Sequence, residues 1–232
     1  MIKKKAVFHW SGGKDSALAL QDILKKNEFE VVSLLTTFDE NTNESNVHSI
    51  PLEILEKQAQ SIKIPLYKIN MNNDLKNYEI QMNSVVKHFK KLGVTHFIFG
   101  DLDTSGMKPY REKMFHPLGI EVVQPLANKT SEKIMQEFLD SNIQAKIIVI
   151  QEDKLDKSFL TKALNQDSIN LFPTEIDVCG EFGEYHTLTY AGDLYEEEIK
   201  FSFGEKFKTS HEIKLNNGEI QVFNYWQVKI LN

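Results

Sequence analysis

The chain has 232 residues, of which 41% are hydrophobic and 26% charged, with 11 glycines and 6 prolines. That composition sustains a buried core in one large domain or two small ones and excludes disordered, collagen-like and low-complexity chains. The 27 basic and 33 acidic residues leave a net charge of −6, and there is one cysteine, Cys179. The first argues against broad nucleic-acid binding, and the second excludes an internal disulfide and a cysteine-rich metal site.

The opening Met1-Ile2-Lys3-Lys4-Lys5 is too short and polar for a secretory signal, and no apolar run approaches the roughly 20 residues that span a bilayer. The expectation is a soluble, cytoplasmic protein without a membrane partner. Residues 6–10, 31–36, 66–69, 96–100 and 121–123 are short and mostly apolar, as strands covered on both faces are. Between them run helical patterns: Ala17, Leu18, Leu20, Ile23 and Leu24, then Leu52, Ile54, Leu55 and Ala59, then an amphipathic stretch over 75–92 that ends at Gly93. Strands alternating with helices imply right-handed crossovers and a parallel, doubly wound sheet, whose ligands sit beyond the carboxyl ends of the strands.

The second half changes character. Residues 131–140 read as a helix with Ser131 as its N-cap, and 145–150 as a strand. Residues 199–203, 212–215 and 219–228 read as further strands, with Asn217-Gly218 a hairpin turn signal. The expected architecture is an α/β fold: a domain over residues 1–127 with the doubly wound sheet, and a smaller α+β domain over 128–232 packed against it around a shared cleft.

The most informative segment is His9-Trp10-Ser11-Gly12-Gly13-Lys14-Asp15-Ser16, at the end of the first strand and the start of a helix. Adjacent glycines let backbone approach a ligand, and the first amides of a helix carry the positive end of its dipole. Lys14 adds a cation, and Ser11 and Ser16 add hydroxyl donors. Asp15 is unusual in an anion site unless it holds Mg²⁺ or faces an attacking group. Gly180-Glu181-Phe182-Gly183-Glu184-Tyr185-His186-Thr187 is the other dense cluster. Two carboxylates and an imidazole there can position an amine, bind Mg²⁺ or move protons.

The Ser-Gly-Gly-Lys-Asp-Ser loop is not a Walker loop. It resembles the PP-loop of the N-type ATP pyrophosphatases, of the HUP fold type, which implies that Ser11, Gly12, Gly13, Lys14, Asp15 and Ser16 grip the phosphates of ATP. Later segments resemble the diphthine–ammonia ligase family in particular: Asn46-Val47-His48-Ser49-Ile50-Pro51, Phe99-Gly100-Asp101-Leu102, Tyr110-Arg111-Glu112, Pro125-Leu126 and the Gly180–Thr187 motif. Two positions depart from the family pattern, Phe182 where asparagine is common and Ala127 where tryptophan is expected, and both bear on the acceptor pocket.

The resemblance implies an AMP- and pyrophosphate-forming amide ligase. A substrate carboxylate is adenylated by ATP with Mg²⁺, and ammonia then displaces AMP. The acceptor is diphthine on elongation factor 2 or, in a bacterial relative, another acid. Lys14, Asp15, Glu181, Glu184 and His186 are the candidate catalytic groups, with Glu184 chosen to orient or deprotonate the amine and Asp15 to hold metal. His9, Thr36, Gly100, Asp101 and Arg111 join the loop as nucleotide-binding candidates. A PP-loop tRNA-modifying enzyme and a non-catalytic nucleotide-binding protein stay open as alternatives, as does assembly into a homo-oligomer.

Overall fold

The computed structural model describes residues 3–46, 48–71, 75–102, 106–214 and 218–232. The first half runs β1 (Lys4–His9), α1 (Lys14–Lys26), β2 (Phe29–Asp39), β3 (Glu44–Ser45), α2 (Leu52–Ile62), β4 (Leu66–Asn70), α3 (Leu75–Lys91), β5 (His96–Phe99), α4 (Met107–Phe115) and β6 (Glu121–Val123). The second half runs α5 (Ser131–Asp140), β7 (Gln144–Gln151), α6 (Gln166–Ile169), β8 (Tyr185–Ala191), β9 (Ser202–Lys214) and β10 (Ile220–Leu231).

In the first sheet β1 pairs in parallel with β2 and β5, β2 with β4, and β5 with β6. Among the described residues only the two-residue β3 runs antiparallel in this sheet, against Phe38 and Asp39 at the end of β2. The sheet is doubly wound. Ala17, Leu20, Ile54 and Leu55 of α1 and α2 cover one face, and Met82, Val85, Val86 and Phe89 of α3 with Phe115 of α4 cover the other. Each fully buried large side chain of this kind stabilises the fold by about 1.5–3 kcal/mol.

The second sheet is antiparallel, in the order β8-β7-β10-β9. Its apolar side does not form a separate core. Ile147, Ile150, Tyr185 and Leu188 belong to the same buried cluster as Ala17, Leu20 and Ile54, joined through Ile134 and Phe138 of α5. The second half is therefore packed onto the α1–α2 face of the first sheet.

Several elements differ from the sequence reading. The N-cap of α5 is Thr130, whose hydroxyl accepts the Lys133 amide, and Ser131 is the first helical residue. Strand β9 is one strand of 13 residues where two short ones were expected over 199–203 and 212–215. Its centre, Gly204-Glu205-Lys206-Phe207-Lys208, is polar because most of it faces solvent, and the strand is defined by its pairing with β10. Residues 199–201 precede that strand. Of the hairpin turn signal, Asn217 lies outside the described residues, and Gly218 has φ +87°. Helix α4 and strand β8 had no periodic signal of their own.

The two halves are cross-linked by polar groups at the phosphate loop. The Gly12 carbonyl accepts the Thr189 amide at 3.0 Å, the Thr189 hydroxyl at 2.9 Å and Gln58 Nε2 at 3.1 Å. Gln58, on the buried face of α2, also accepts Trp10 Nε1 at 2.9 Å and donates to the Thr189 carbonyl at 2.7 Å. Replacing this fully buried amide by leucine strands several of these groups away from water, at a cost of about 1–3 kcal/mol for each unsatisfied one. Gln58→Leu is expected to lower unfolding free energy by at least about 2 kcal/mol in urea titration. A change within about 0.5 kcal/mol, the range of an inert surface substitution, would contradict the cross-link.

Candidate active site

Helix α1 begins immediately beyond the end of β1, with Gly13 as its N-cap in an extended conformation and no side-chain cap. The Lys14 amide, in the first turn, donates to the Thr187 hydroxyl at 3.0 Å. The Gly13 amide donates to the Ser11 hydroxyl at 3.3 Å, and the Ser11 and Ser16 hydroxyls lie 3.0 Å apart. A helix N-terminus with two hydroxyls and a lysine is built for an anion. Gly13 is required by proximity: a Cβ there would lie 2.4 Å from Cε1 of His48 and 3.2 Å from the Thr187 carbonyl oxygen.

The loop opens on a cleft of about 410 Å³, within the range of small-molecule sites. From the first half its walls carry His9, Ser11, Lys14, Asp15, Ser16, His48, Phe99, Gly100, Asp101 and Arg111. From the second they carry Cys179, Gly180, Glu181, Gly183, Tyr185, His186 and Thr187. The phosphate loop and the glycine–glutamate motif, more than 160 residues apart in the chain, thus border one space.

Lys14 is buried. Its Nζ contacts both Asp15 carboxylate oxygens, at 2.7 and 2.9 Å, and the Cys179 carbonyl, and lies 5.4 Å from the centre of the Tyr185 ring. Burial works against its charge, but Asp15, Tyr185 and Cys179 outweigh that and hold its pKa well above the usual lysine value. Across the cleft Arg111 pairs with both oxygens of Asp101 at 2.7 Å and lies over the Phe99 ring at 4.1 Å. His9 stacks on the same Phe99 ring at 5.3 Å, and burial with the nearby Arg111 charge lowers its pKa to about 4.

The loop over 177–184 is held by its own carboxylates. Asp177 accepts the Cys179 amide at 2.8 Å and the Glu181 amide at 3.3 Å, and the Tyr185 hydroxyl donates to the Val178 carbonyl at 2.6 Å. Glu184 is buried, and its two carboxylate oxygens accept the amides of Asp177 and Phe182, each at 2.9 Å. That placement differs from the role chosen for it from sequence. Glu184 faces inward to tie the loop and is not among the residues that line the cleft. Glu181 and His186 do face the cleft.

Three other sequence candidates are not on its walls: Gly12 and Gly13 lie in the turn behind Ser11, and Thr36 is buried within β2, paired alongside Lys68. Trp10, beside the loop, is wholly buried with its indole nitrogen on Gln58. Gln58, Thr187, Thr189 and His48 are the groups at the site that residue-level reading undervalued. Gln58 was visible as a polar residue on the apolar stripe of α2, at the spacing of Ile54 and Leu55.

The donor set suits Mg²⁺. Asp15 and Glu181 supply carboxylates on the cleft wall, and Mg²⁺ takes most of its octahedral shell from phosphate oxygens and water. Among the described residues no cluster of three or more His, Cys, Asp or Glu stands ready to hold a metal unaided.

Comparison with known proteins places this architecture. The diphthamide synthase N-terminal domain model matches residues 3–124, and the diphthamide synthase C-terminal domain model matches residues 130–223. The chain belongs to the diphthamide synthase family. A diphthine–ammonia ligase of Schizosaccharomyces pombe is 25% identical over 210 residues, 82% of this chain and 34% of that protein. A diphthine–ammonia ligase of Bos taurus is 38% identical over 85 residues, 33% of this chain and 32% of that protein. The chain therefore matches about a third of the length of these relatives. Among solved structures, a predicted subunit of tRNA methyltransferase from Methanocaldococcus jannaschii superposes with a TM-score of 0.40 at 18% identity, over 62% of this chain and 80% of the other. The U34-tRNA thiolase NcsA of Methanococcus maripaludis gives a TM-score of 0.39 at 13% identity, over 59% and 56%. No helix among the described residues is long and apolar enough to cross a membrane.

Two outcomes follow from this geometry. Glu184→Gln presents one amide N–H to a backbone donor where an oxygen accepted it, so it should lower stability by about 1–3 kcal/mol in thermal denaturation; an unchanged melting curve would refute the clamp. Burial raises the Cys179 thiol to about 12, and its Sγ donates to the Ser131 carbonyl at 3.1 Å. The folded protein should therefore resist a disulfide-exchange reagent at pH 8 and react only on unfolding. Rapid labelling of native protein would contradict that burial.

Proposed function

We propose that this chain is an ATP-dependent, AMP- and pyrophosphate-forming amide ligase that adenylates a carboxylate for attack by ammonia. The observation that carries the reading is the single cleft bordered by both the phosphate loop and the loop over 177–184. Family membership supports it, since the curated relatives are diphthine–ammonia ligases.

In this reading residues 1–127 hold the nucleotide and residues 128–232 complete the acceptor side. Ser11, Ser16, Lys14 and the first amides of α1 hold the phosphate chain, with His9, Gly100, Asp101 and Arg111 on the opposite wall. Mg²⁺, when bound through Asp15 and Glu181, neutralises phosphate charge. The acceptor carboxylate oxygen attacks the α-phosphorus and pyrophosphate leaves. Ammonia nitrogen then attacks the acyl carbon, the bond to AMP breaks, and the amide remains with a proton released. Rigid presentation of Glu181 by the clamped loop and of His186 by β8 serves orientation at this step. The acceptor is diphthine on elongation factor 2 or another acid presented in a cytoplasmic setting.

Lys14→Ala tests the nucleotide half. Losing a buried, charge-assisted contact should weaken ATP binding by 10-fold or more, on the order of 1.5–3 kcal/mol. Equal ATP affinity in the folded variant would defeat the assignment. Products analysed with the acceptor and ammonium should be AMP and pyrophosphate, and formation of ADP and phosphate would place the chemistry elsewhere.

A further inference from the structure

The loop between β3 and α2 carries a residue that the reaction above does not use. His48 lies against His186 of β8 with ring centroids 4.7 Å apart and planes at 25°. Neither ring has a hydrogen-bond partner among the described residues, and Nδ1 of His48 is fully buried without one. The same atom lies 2.8 Å from where a Gly13 Cβ would stand, so this ring edge rests on the phosphate loop itself. Both rings line the cleft. A buried polar atom without a partner costs about 1–3 kcal/mol, so its retention beside the loop needs a reason, and a bound ion is one.

The surroundings select the kind of partner. Lys14 of α1, with its Asp15 counter-ion, faces the pair. Cys179 and Glu181 of the loop over 177–184, Tyr185 of β8, and His9 with the Asp101–Arg111 pair occupy the other walls. Burial first, then the neighbouring His186 and Lys14, push His48 well below the usual histidine range, and burial with Lys14 lowers His186 to about 4. Two neutral rings beside a buried ammonium and a helix N-terminus repel a cation such as ammonium and welcome an anion. An anion also offsets the field that keeps the rings neutral.

We propose that His48 and His186 form a proton-linked anion contact, in which the pair takes up one proton from solvent as the phosphate chain fills the cleft. This rests on the nucleotide reading of the loop. The contact joins the two halves of the molecule, since His48 precedes α2 and His186 is the second residue of the strand that docks on the phosphate loop. In the free protein both rings are held below the usual histidine range, His186 at about 4. Anion binding raises the pair's affinity for the proton, so between the free and the raised midpoints the anion binds more tightly as pH falls.

Imidazole NMR of the full chain, with and without inorganic pyrophosphate, tests this directly. His48→Asn and His186→Asn identify the two resonances among the seven histidines. In the free protein the His186 titration should centre near 4. With saturating pyrophosphate one ring of the pair should titrate about 1–3 pH units higher. Pyrophosphate affinity should rise by up to about tenfold per pH unit through that window, beyond the slope left in either asparagine variant by the titration of pyrophosphate itself. Binding that leaves both imidazole midpoints unmoved overturns the inference while the nucleotide reading stands. Failure of the folded wild-type chain to bind either pyrophosphate or ATP overturns both.

Discussion

The site depends on how strand β8 is docked against the phosphate loop. A Ser-Gly-Gly loop has little side chain with which to fix itself, and glycines carry the largest conformational entropy cost on ordering. Here the loop is immobilised from outside. Thr189 binds the Gly12 carbonyl through both its amide and its hydroxyl, Thr187 receives the Lys14 amide, and Gln58 ties the same carbonyl to α2. The two threonines point to the same side of β8 because they are two residues apart. One strand from the second half thereby sets the position of the loop and, at its start, delivers His186 to the cleft.

Electrostatics follow from that docking. Closing β8 and its preceding loop over α1 buries Lys14, and a buried ammonium persists only with partners. Asp15 and the Cys179 carbonyl provide them. The same closure holds the imidazoles of His48 and His186 below the usual histidine range, and it brings the inward carboxylate of Glu184 beneath the loop as a backbone acceptor. The acidic motif therefore divides by burial: Glu184 shapes the loop that presents Glu181.

Much of this was legible in the sequence where a local rule applied. Short apolar strands alternating with the stripes of α1, α2 and α3 give the parallel sheet, and the loop between β1 and α1 sits where such sheets bind ligands. Legibility failed where an element is defined by its neighbours. Met107-Lys108-Pro109-Tyr110-Arg111-Glu112-Lys113-Met114-Phe115 buries only Phe115 and shows no stripe, so α4 left no periodic trace. The polar middle of β9 is a strand by pairing with β10. At the site, residue type separated charged from apolar groups but not cleft-facing from inward-facing ones: Glu181 and Glu184 read alike, and only the turn between them sends one to the cleft and the other beneath the loop. Thr187 and Thr189 are ordinary strand residues until the phosphate loop is set beside them.

The central claim is that one ligand-binding cleft is made jointly by residues 11–16 and 177–187. Hydrogen–deuterium exchange of the full chain with and without ATP and Mg²⁺ addresses it most directly, because it reads backbone protection in each segment separately. The account predicts that ATP slows exchange in both segments together. Protection confined to residues 11–16, with 177–187 exchanging as in the free protein, would contradict it.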